Sequence, residues 1–517
     1  MLYPYLTRAT PHKPALITPH GTYTYAQLRE AIQHDMAQLH QWGIVNGDVV
    51  AILSHNHPVY VRLIIALWEL GAIPLPLNTR LTADELRYQV GFAGATCLIH
   101  ADDMAIPQID IPAYPFEDLQ VQTSPLNPLS RKGMNYHTPT DKPDDLYGPD
   151  LSRPYDHNPI PFSNVGTAYM PSKEVGLACI MFTSGTSGKP KGAMLTHDNL
   201  IANALASHER LSMSADDHWL CVLPLYHIGG LSIIVRCFML GGTVSLFARF
   251  DADSVHHALS TRPITLISLV PTMLYRLLDR DVSAWDKSLR LILLGGAAAD
   301  ARLMRRCANV HLPIATTYGL TEASSQVCTA TPDMTYRKPA SVGKPMNGIT
   351  IRIVDEHGDT CPIGTIGEIA VRGKTVMAGY YHDDASTTKT IRDGELFTGD
   401  MGYVDSDGDL WVIQRRSDLI LTGGENVYPA EIETVLRGFS GVDDVAVVGI
   451  SDPEWGQIVA CALVGNVDIP HLQADLRQKL AGYKIPRRWL IVPALPLNST
   501  GKVDKNAIRA MLEENTN

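Results

Sequence analysis

The sequence predicts an α/β protein in two parts: a large part of layered sheets and helices, then a small α+β part at the C-terminal end. Three observations predict it. Strand-like and helical patterns alternate early in the chain, as they do where helices cover a sheet. Shorter β-like runs separated by polar turns follow later, the habit of a more antiparallel region. Arg415-Arg416-Ser417-Asp418 then forms a polar break before a fresh apolar run.

The elements follow in order. Residues 25–42 carry apolar side chains at helical spacing, 48–53 form a short β-like run, 59–70 are helical again, and 72–77 are apolar. Residues 121–173 differ: Pro, Asn, Asp, Ser and Tyr abound and aliphatic residues are few, the composition of an exposed loop or flexible insert. Residues 178–182 and 291–294 read as buried strands that end in glycine or small residues. Residues 351–354, 368–371 and 410–413 read as strands of the antiparallel region, with Asp405-Ser406-Asp407-Gly408 as the turn into the last. The final unit holds a helix over 430–437, a strand over 444–450 and a helix over 470–480. No internal repeat is present.

A chain of 517 residues is too long for one ordinary domain and suits about two to four. With 45% apolar and 19% charged residues it can bury sizeable cores. Its net charge of −11 gives no general attraction to nucleic acid or to an anionic membrane, so a nucleotide site must build its own local positive field. The eight cysteines are scattered, no two at metal-ligand spacing, and read as buried thiols of a reducing compartment. The start Met1-Leu2-Tyr3-Pro4-Tyr5 lacks the basic residues of a signal peptide, and the best apolar run, 231–240, is interrupted by Arg236. A cytoplasmic protein without an integral membrane segment is expected.

The strongest chemical signal is Thr183-Ser184-Gly185-Thr186-Ser187-Gly188-Lys189-Pro190-Lys191-Gly192. It follows a strand pattern and holds hydroxyls, glycines and two lysines. Glycines let backbone N–H groups converge on an anion, hydroxyls donate further bonds and lysines add charge, which suits a triphosphate. It is not a Walker-type loop, because Pro190 stands where that loop needs Ser or Thr. Further segments recur in order: Leu223-Pro224-Leu225-Tyr226-His227, Leu294-Gly295-Gly296-Ala297, Thr316-Thr317-Tyr318-Gly319-Leu320-Thr321-Glu322, Thr398-Gly399-Asp400, the break at Arg415, Thr422-Gly423-Gly424-Glu425-Asn426, and Asn498-Ser499-Thr500-Gly501-Lys502.

This ordered series resembles the acyl-adenylate-forming superfamily, which holds acyl- and aryl-CoA synthetases, nonribosomal adenylation domains and firefly luciferase. The resemblance runs from the first helix to Lys502. It implies a large AMP-binding domain over 1–414 with a β-barrel-like part, a small mobile lid over 415–517, and a hinge at 415–418 centred on Ser417. It implies ATP, Mg²⁺ and coenzyme A as the reactants and cofactors beside a small carboxylic acid. In relatives the phosphate loop (Thr183 to Lys191) cradles ATP. Gly295, Gly296 and Ala297 let adenine approach, and Tyr318 stacks on it between Thr317 and Gly319. Thr321 lies near the α-phosphate, Glu322 binds Mg²⁺, and Asp400 and Arg415 hold the ribose. Gly423 and Gly424 line the pantetheine channel. Lys502 bridges the attacking carboxylate and the α-phosphate.

Four stretches within 223–232, 293–297, 318–326 and 415–433 look most like the 2-succinylbenzoate–CoA ligases of menaquinone biosynthesis. That substrate keeps a second carboxylate, for which His227, Ser232, Ser268, Thr272, Ser324 and Ser325 are the lining candidates. Another aryl-, medium- or long-chain acyl-CoA synthetase would share every nucleotide motif. Whether the chain works alone or as a homodimer is left open by the sequence.

Overall fold

Apolar runs too short for helices become parallel strands, and the amphipathic stretches between them become the helices that cover those strands. The computed structural model describes residues 2–19, 21–119, 176–183, 190–296, 298–299, 301–415, 420–422, 425–427, 429–452, 455–480, 482–498 and 501–514. The stretch expected as an insert, 121–173, lies outside them.

The first expected helix is Tyr25–Gln41, opened by a capping box between Thr24 and Gln27. Pro58–Leu70 begins on proline and ends at Gly71, whose φ of 72° favours glycine. Val49–Leu53, Ile73–Leu77, Cys97–His100 and Ala113–Pro115 form a four-stranded parallel sheet. Between the two helices a buried ion pair joins Arg62 to Asp35, with Nε–Oδ2 at 2.9 Å, and Arg62 Nη2 also donates to Leu119 O at 2.7 Å. Desolvation outweighs the arginine here and pushes the Asp35 carboxyl up to about 7.

A nine-stranded sheet forms the second layer. His218–Cys221, Leu266–Leu269, Leu291–Leu294 and Ile314–Leu320 lie side by side and parallel, and Ser325–Thr329 turns back antiparallel to the last. Helix Ile228–Leu240 packs beside them, buried on almost every face. The apolar run 231–240 is therefore a core helix, and no described helix is long and apolar enough to cross a membrane. Leu177–Thr183, Lys191–Thr196 and Gly379–Tyr380 form a three-stranded antiparallel sheet.

The antiparallel region is a five-stranded sheet that includes Gly367–Gly373, Glu395–Val404 and Leu410–Arg415. Its turn is pinned from outside: Lys338 Nζ stands 2.7 Å from a carboxylate oxygen of each of Asp405, Asp407 and Asp409. Beyond residue 420 a separate five-stranded sheet, including Val442–Asp452 and Gly456–Gly465, is covered by helices Pro429–Arg437, Ile469–Lys479 and Lys505–Glu514. The buried apolar clusters respect this division. Three draw only on residues up to Leu410 and two only on residues from Ile420 onward. Seven of the eight cysteines are buried and all are free thiols, with Cys361 partly open.

Candidate active site

Two strand ends set the phosphate side. Thr183 and Lys191 are register partners at the mouth of their hairpin, so the segment between them leaves and re-enters the sheet at one place. Ser184, Gly185, Thr186, Ser187, Gly188 and Lys189 lie outside the described residues. The Lys191 ammonium stands 5.1 Å from the centroid of the Tyr380 ring, a cation–π contact. Tyr380 Oη donates to Glu322 Oε1 at 3.0 Å. The Glu322 carbonyl accepts from Met377 N at 2.9 Å, which ties its turn to the strand that carries Tyr380. Glu322 therefore offers a partly open carboxylate held by the same tyrosine whose ring faces Lys191. That is a fitting donor for Mg²⁺, which takes one or two protein oxygens and completes its shell with phosphates and water.

The adenosine side is built from the adjoining sheets. Tyr318 Oη donates to Asp400 Oδ2 at 2.7 Å, and both side chains are buried. Asp400 and Arg415 are register partners in neighbouring antiparallel strands, so the backbone alone brings those two positions together. Gly319 sits at a bulge, where an added Cβ would lie 1.8 Å from Ser325 O; only glycine lets the strands meet there. A Cβ on Gly295 would come within 2.7 Å of Thr317 Cγ2, and Gly296 has a φ of 79°. Thr317 spends its hydroxyl inside the sheet, on Cys328 O at 2.9 Å and Thr329 Oγ1 at 2.8 Å. Ala297, Ser417, Gly423 and Gly424 lie outside the described residues, as does the side chain of Arg415.

The acyl side centres on His227, at the start of helix Ile228–Leu240 and edge-on to Tyr226 with ring centroids 4.8 Å apart. The residue is exposed, with the charges of Lys502 and Arg80 acting on its ring. Desolvation, then the charge of Lys502, then that of Arg80, push the imidazole down to about 4, so it is neutral at pH 7. Lys502 itself lies on an exposed turn of the C-terminal unit. Ser232 is buried and donates to Gly229 O at 3.2 Å. Ser268 is buried and its hydroxyl has no protein partner among the described residues.

Thr321 opens a short 3-10 turn with Glu322, and Ser324 closes it. Ser324, expected to line the acyl pocket, sits in this turn. It is fully buried at a φ of 58°, and its hydroxyl donates to Thr375 O at 2.8 Å. Ser325 beside it is the more open of the two.

Two residues of this region escaped the sequence reading. Tyr380 had a signal in Gly379 followed by two aromatics. Arg236 had a clearer one, a single charge inside an apolar run. It is buried and donates to Asn203 Oδ1 at 2.9 Å and to Ser325 Oγ at 3.2 Å. Its Nε has no partner, no carboxylate bonds it among the described residues, and desolvation pushes it down to about 9.

Comparison with known families settles the class. The family described as "AMP-binding enzyme" matches residues 6–381, and "AMP-binding enzyme C-terminal domain" matches 431–502. The chain belongs to the AMP-binding enzyme family. Like its relatives, this AMP-binding enzyme is an AMP-forming acid–CoA ligase with ATP, Mg²⁺ and CoA as its reaction partners. It is 36% identical over 508 residues to the 2-succinylbenzoate–CoA ligase of Bacillus cereus (strain Q1), covering 98% of this chain and 97% of the relative. Among solved structures it is similar to o-succinylbenzoate CoA synthetase of Bacillus subtilis in complex with the acyl-adenylate intermediate. There the TM-score is 0.83 at 32% identity, covering 98% of this chain and 97% of the other. The same Bacillus subtilis enzyme with ATP and magnesium ion gives 0.82 at 32% identity, covering 99% of each chain. A double mutant of it bound to its product analogue gives a lower TM-score, 0.69 at 32% identity, over 98% of both chains.

Proposed function

We propose that the enzyme activates 2-succinylbenzoate with ATP and passes the acyl group to CoA, the step belonging to menaquinone biosynthesis in a cytoplasmic compartment. The observation that carries this reading is the 36% identity over 98% of the chain to a 2-succinylbenzoate–CoA ligase, with Lys191, Tyr380 and Glu322 gathered on the phosphate side. Lys502 is the mobile cation for the place where two anions, the carboxylate and the α-phosphate, must meet. The attacking carboxylate oxygen bonds to the α-phosphorus, and the bond to pyrophosphate breaks. Lys502 offsets the negative charge gathering between them, and Lys191 with the phosphate hairpin holds the leaving group. One well-placed donor of this kind contributes roughly 10²–10³ in rate. Mg²⁺, held by Glu322, would supply further positive charge on the phosphates.

Neutral His227 presents a hydrogen-bonding wall without adding charge that would compete with Lys502. The unpartnered Ser268 hydroxyl and the positive field of Arg236 reaching Ser325 support an acid with a second polar end. After pyrophosphate leaves, residues 415–517 turn about Ser417, Lys502 withdraws, and Gly423 and Gly424 enter to admit the CoA thiol. The thiolate then attacks the acyl carbon and AMP departs. The two separate sets of buried clusters support such a lid.

ATP–pyrophosphate exchange across a panel of acids, with and without CoA, tests the reading. Exchange with 2-succinylbenzoate well above that with benzoate, cinnamate and octanoate is the expected result. Preference for a monocarboxylate would overturn the substrate assignment, and no exchange with any acid would overturn the activity.

A further inference from the structure

Lys502 must reach a reaction centre from a surface turn. Gly501 and Lys502 are exposed, and Leu497 beside them is 62% exposed. Hydrogen bonds within the turn converge on one residue, Asn498. Asn498 N donates to Lys502 O at 2.8 Å, and Gly501 N donates to Asn498 O at 2.9 Å. Lys502 N donates to the Asn498 side-chain oxygen Oδ1 at 3.0 Å. Both backbone polar groups of Lys502 are therefore held by Asn498. Gly501 takes the positive φ of 77° that closes the loop, and a Cβ there would meet nothing within 4 Å. Below the turn, Leu497 and Val503 pair as a bridge, Asp504 N donates to Pro496 O at 2.8 Å, and Asp504 caps the helix Lys505–Glu514.

We propose that Asn498 is a positioning residue for the adenylation step: its side-chain oxygen fixes the direction in which the Lys502 side chain leaves the turn. The inference rests on the reading of Lys502 given above. An Asx-type bond of this sort sets local backbone direction. The distant core clusters do not depend on it, so its loss misaims one side chain and leaves the fold standing. A misplacement of about 1 Å at a reacting group costs on the order of 10²-fold in rate. The second half-reaction, in which Lys502 has withdrawn, does not use that direction.

The experiment compares Asn498→Ala, Asn498→Asp, Gly501→Ala and Lys502→Ala in the full-length enzyme. Two readouts are taken: pyrophosphate release from ATP and acid, and thioester formation from synthetic acyl-adenylate and CoA. Asn498→Ala is expected to lower adenylation kcat by about 10- to 100-fold with the KM for ATP nearly unchanged, and to spare thioester formation. Asn498→Asp keeps an acceptor oxygen and is expected to recover most of the rate. Gly501→Ala strains the same turn without a steric clash and is expected to show the same selective loss. Lys502→Ala should abolish adenylation alone. Normal adenylation by Asn498→Ala beside a dead Lys502→Ala would overturn the positioning role and leave the Lys502 reading standing. Equal loss of both half-reactions in Asn498→Ala and Gly501→Ala would also overturn it, showing a merely structural turn. Normal adenylation by Lys502→Ala would overturn both readings.

Discussion

Replacing Tyr318 with Phe removes one oxygen atom from the adenosine side and leaves the aromatic face in place. The lost group is the phenol that donates to Asp400 Oδ2 at 2.7 Å between two buried side chains. A hydrogen bond to a charged partner is worth about 1.5–3 kcal/mol, and its loss leaves the carboxylate less well oriented. At about 1.4 kcal/mol per factor of ten, Tyr318→Phe should raise the KM for ATP by roughly 10- to 150-fold. The KM for the acid should move little, because Tyr318 and Asp400 stand on the nucleotide side. ATP–pyrophosphate exchange at varied ATP, with acid saturating and then varied, measures both constants. Adding Asp400→Ala provides a further check: the double variant should lose less than the sum of the two single variants, because both delete the same bond. An unchanged KM for ATP, or a strictly additive double variant, would refute the idea that the phenol sets the carboxylate.

Three other outcomes follow from the same geometry. Tyr380→Phe deletes the donor to Glu322 Oε1 but keeps the ring facing Lys191, so the Mg²⁺ concentration giving half-maximal exchange should rise several-fold while the KM for acid holds. Arg62→Leu strands the Asp35 carboxylate inside the protein and should cost about 3–5 kcal/mol in urea unfolding, whereas the double Asp35→Leu/Arg62→Leu variant should recover much of that. His197, His218 and His227 are each pushed down to about 4, desolvation being the first cause in every case, while an unfolded histidine titrates near about 6.5. As pH falls from 6.5 toward 4 the unfolded chain therefore takes up protons that the folded one refuses. Stability should drop through that window, and His218→Gln should flatten the dependence of the urea midpoint on pH.

Much of the fold was legible because strands covered on both faces are apolar throughout. Val49–Leu53 and Leu291–Leu294 are buried at every position, and the sequence marks both directly. Gly379–Tyr380 was not legible: a two-residue strand has no period to read, and its partners at Ala193 and Met194 lie far back in the chain. The site divides the same way. Ordered motifs identified Tyr318 and Asp400, but nothing in them announces that the two side chains, 82 residues apart, bond to each other. For Ser324 the motif says nothing about where the hydroxyl goes, and the fold shows it donating to Thr375 O. Arg236 was visible as a charge in an apolar helix, and only the packing shows that the helix carries it into the interior.

The lysine clamped by three aspartates has a physiological corollary. The turn Asp405-Ser406-Asp407-Gly408-Asp409 displays the spaced oxygens that hard divalent ions seek, in an enzyme that must meet such ions to work. With Lys338 in that seat, the hairpin leading toward the lid carries its own tethered counter-ion. The hairpin thus needs no divalent ion to offset its own carboxylates.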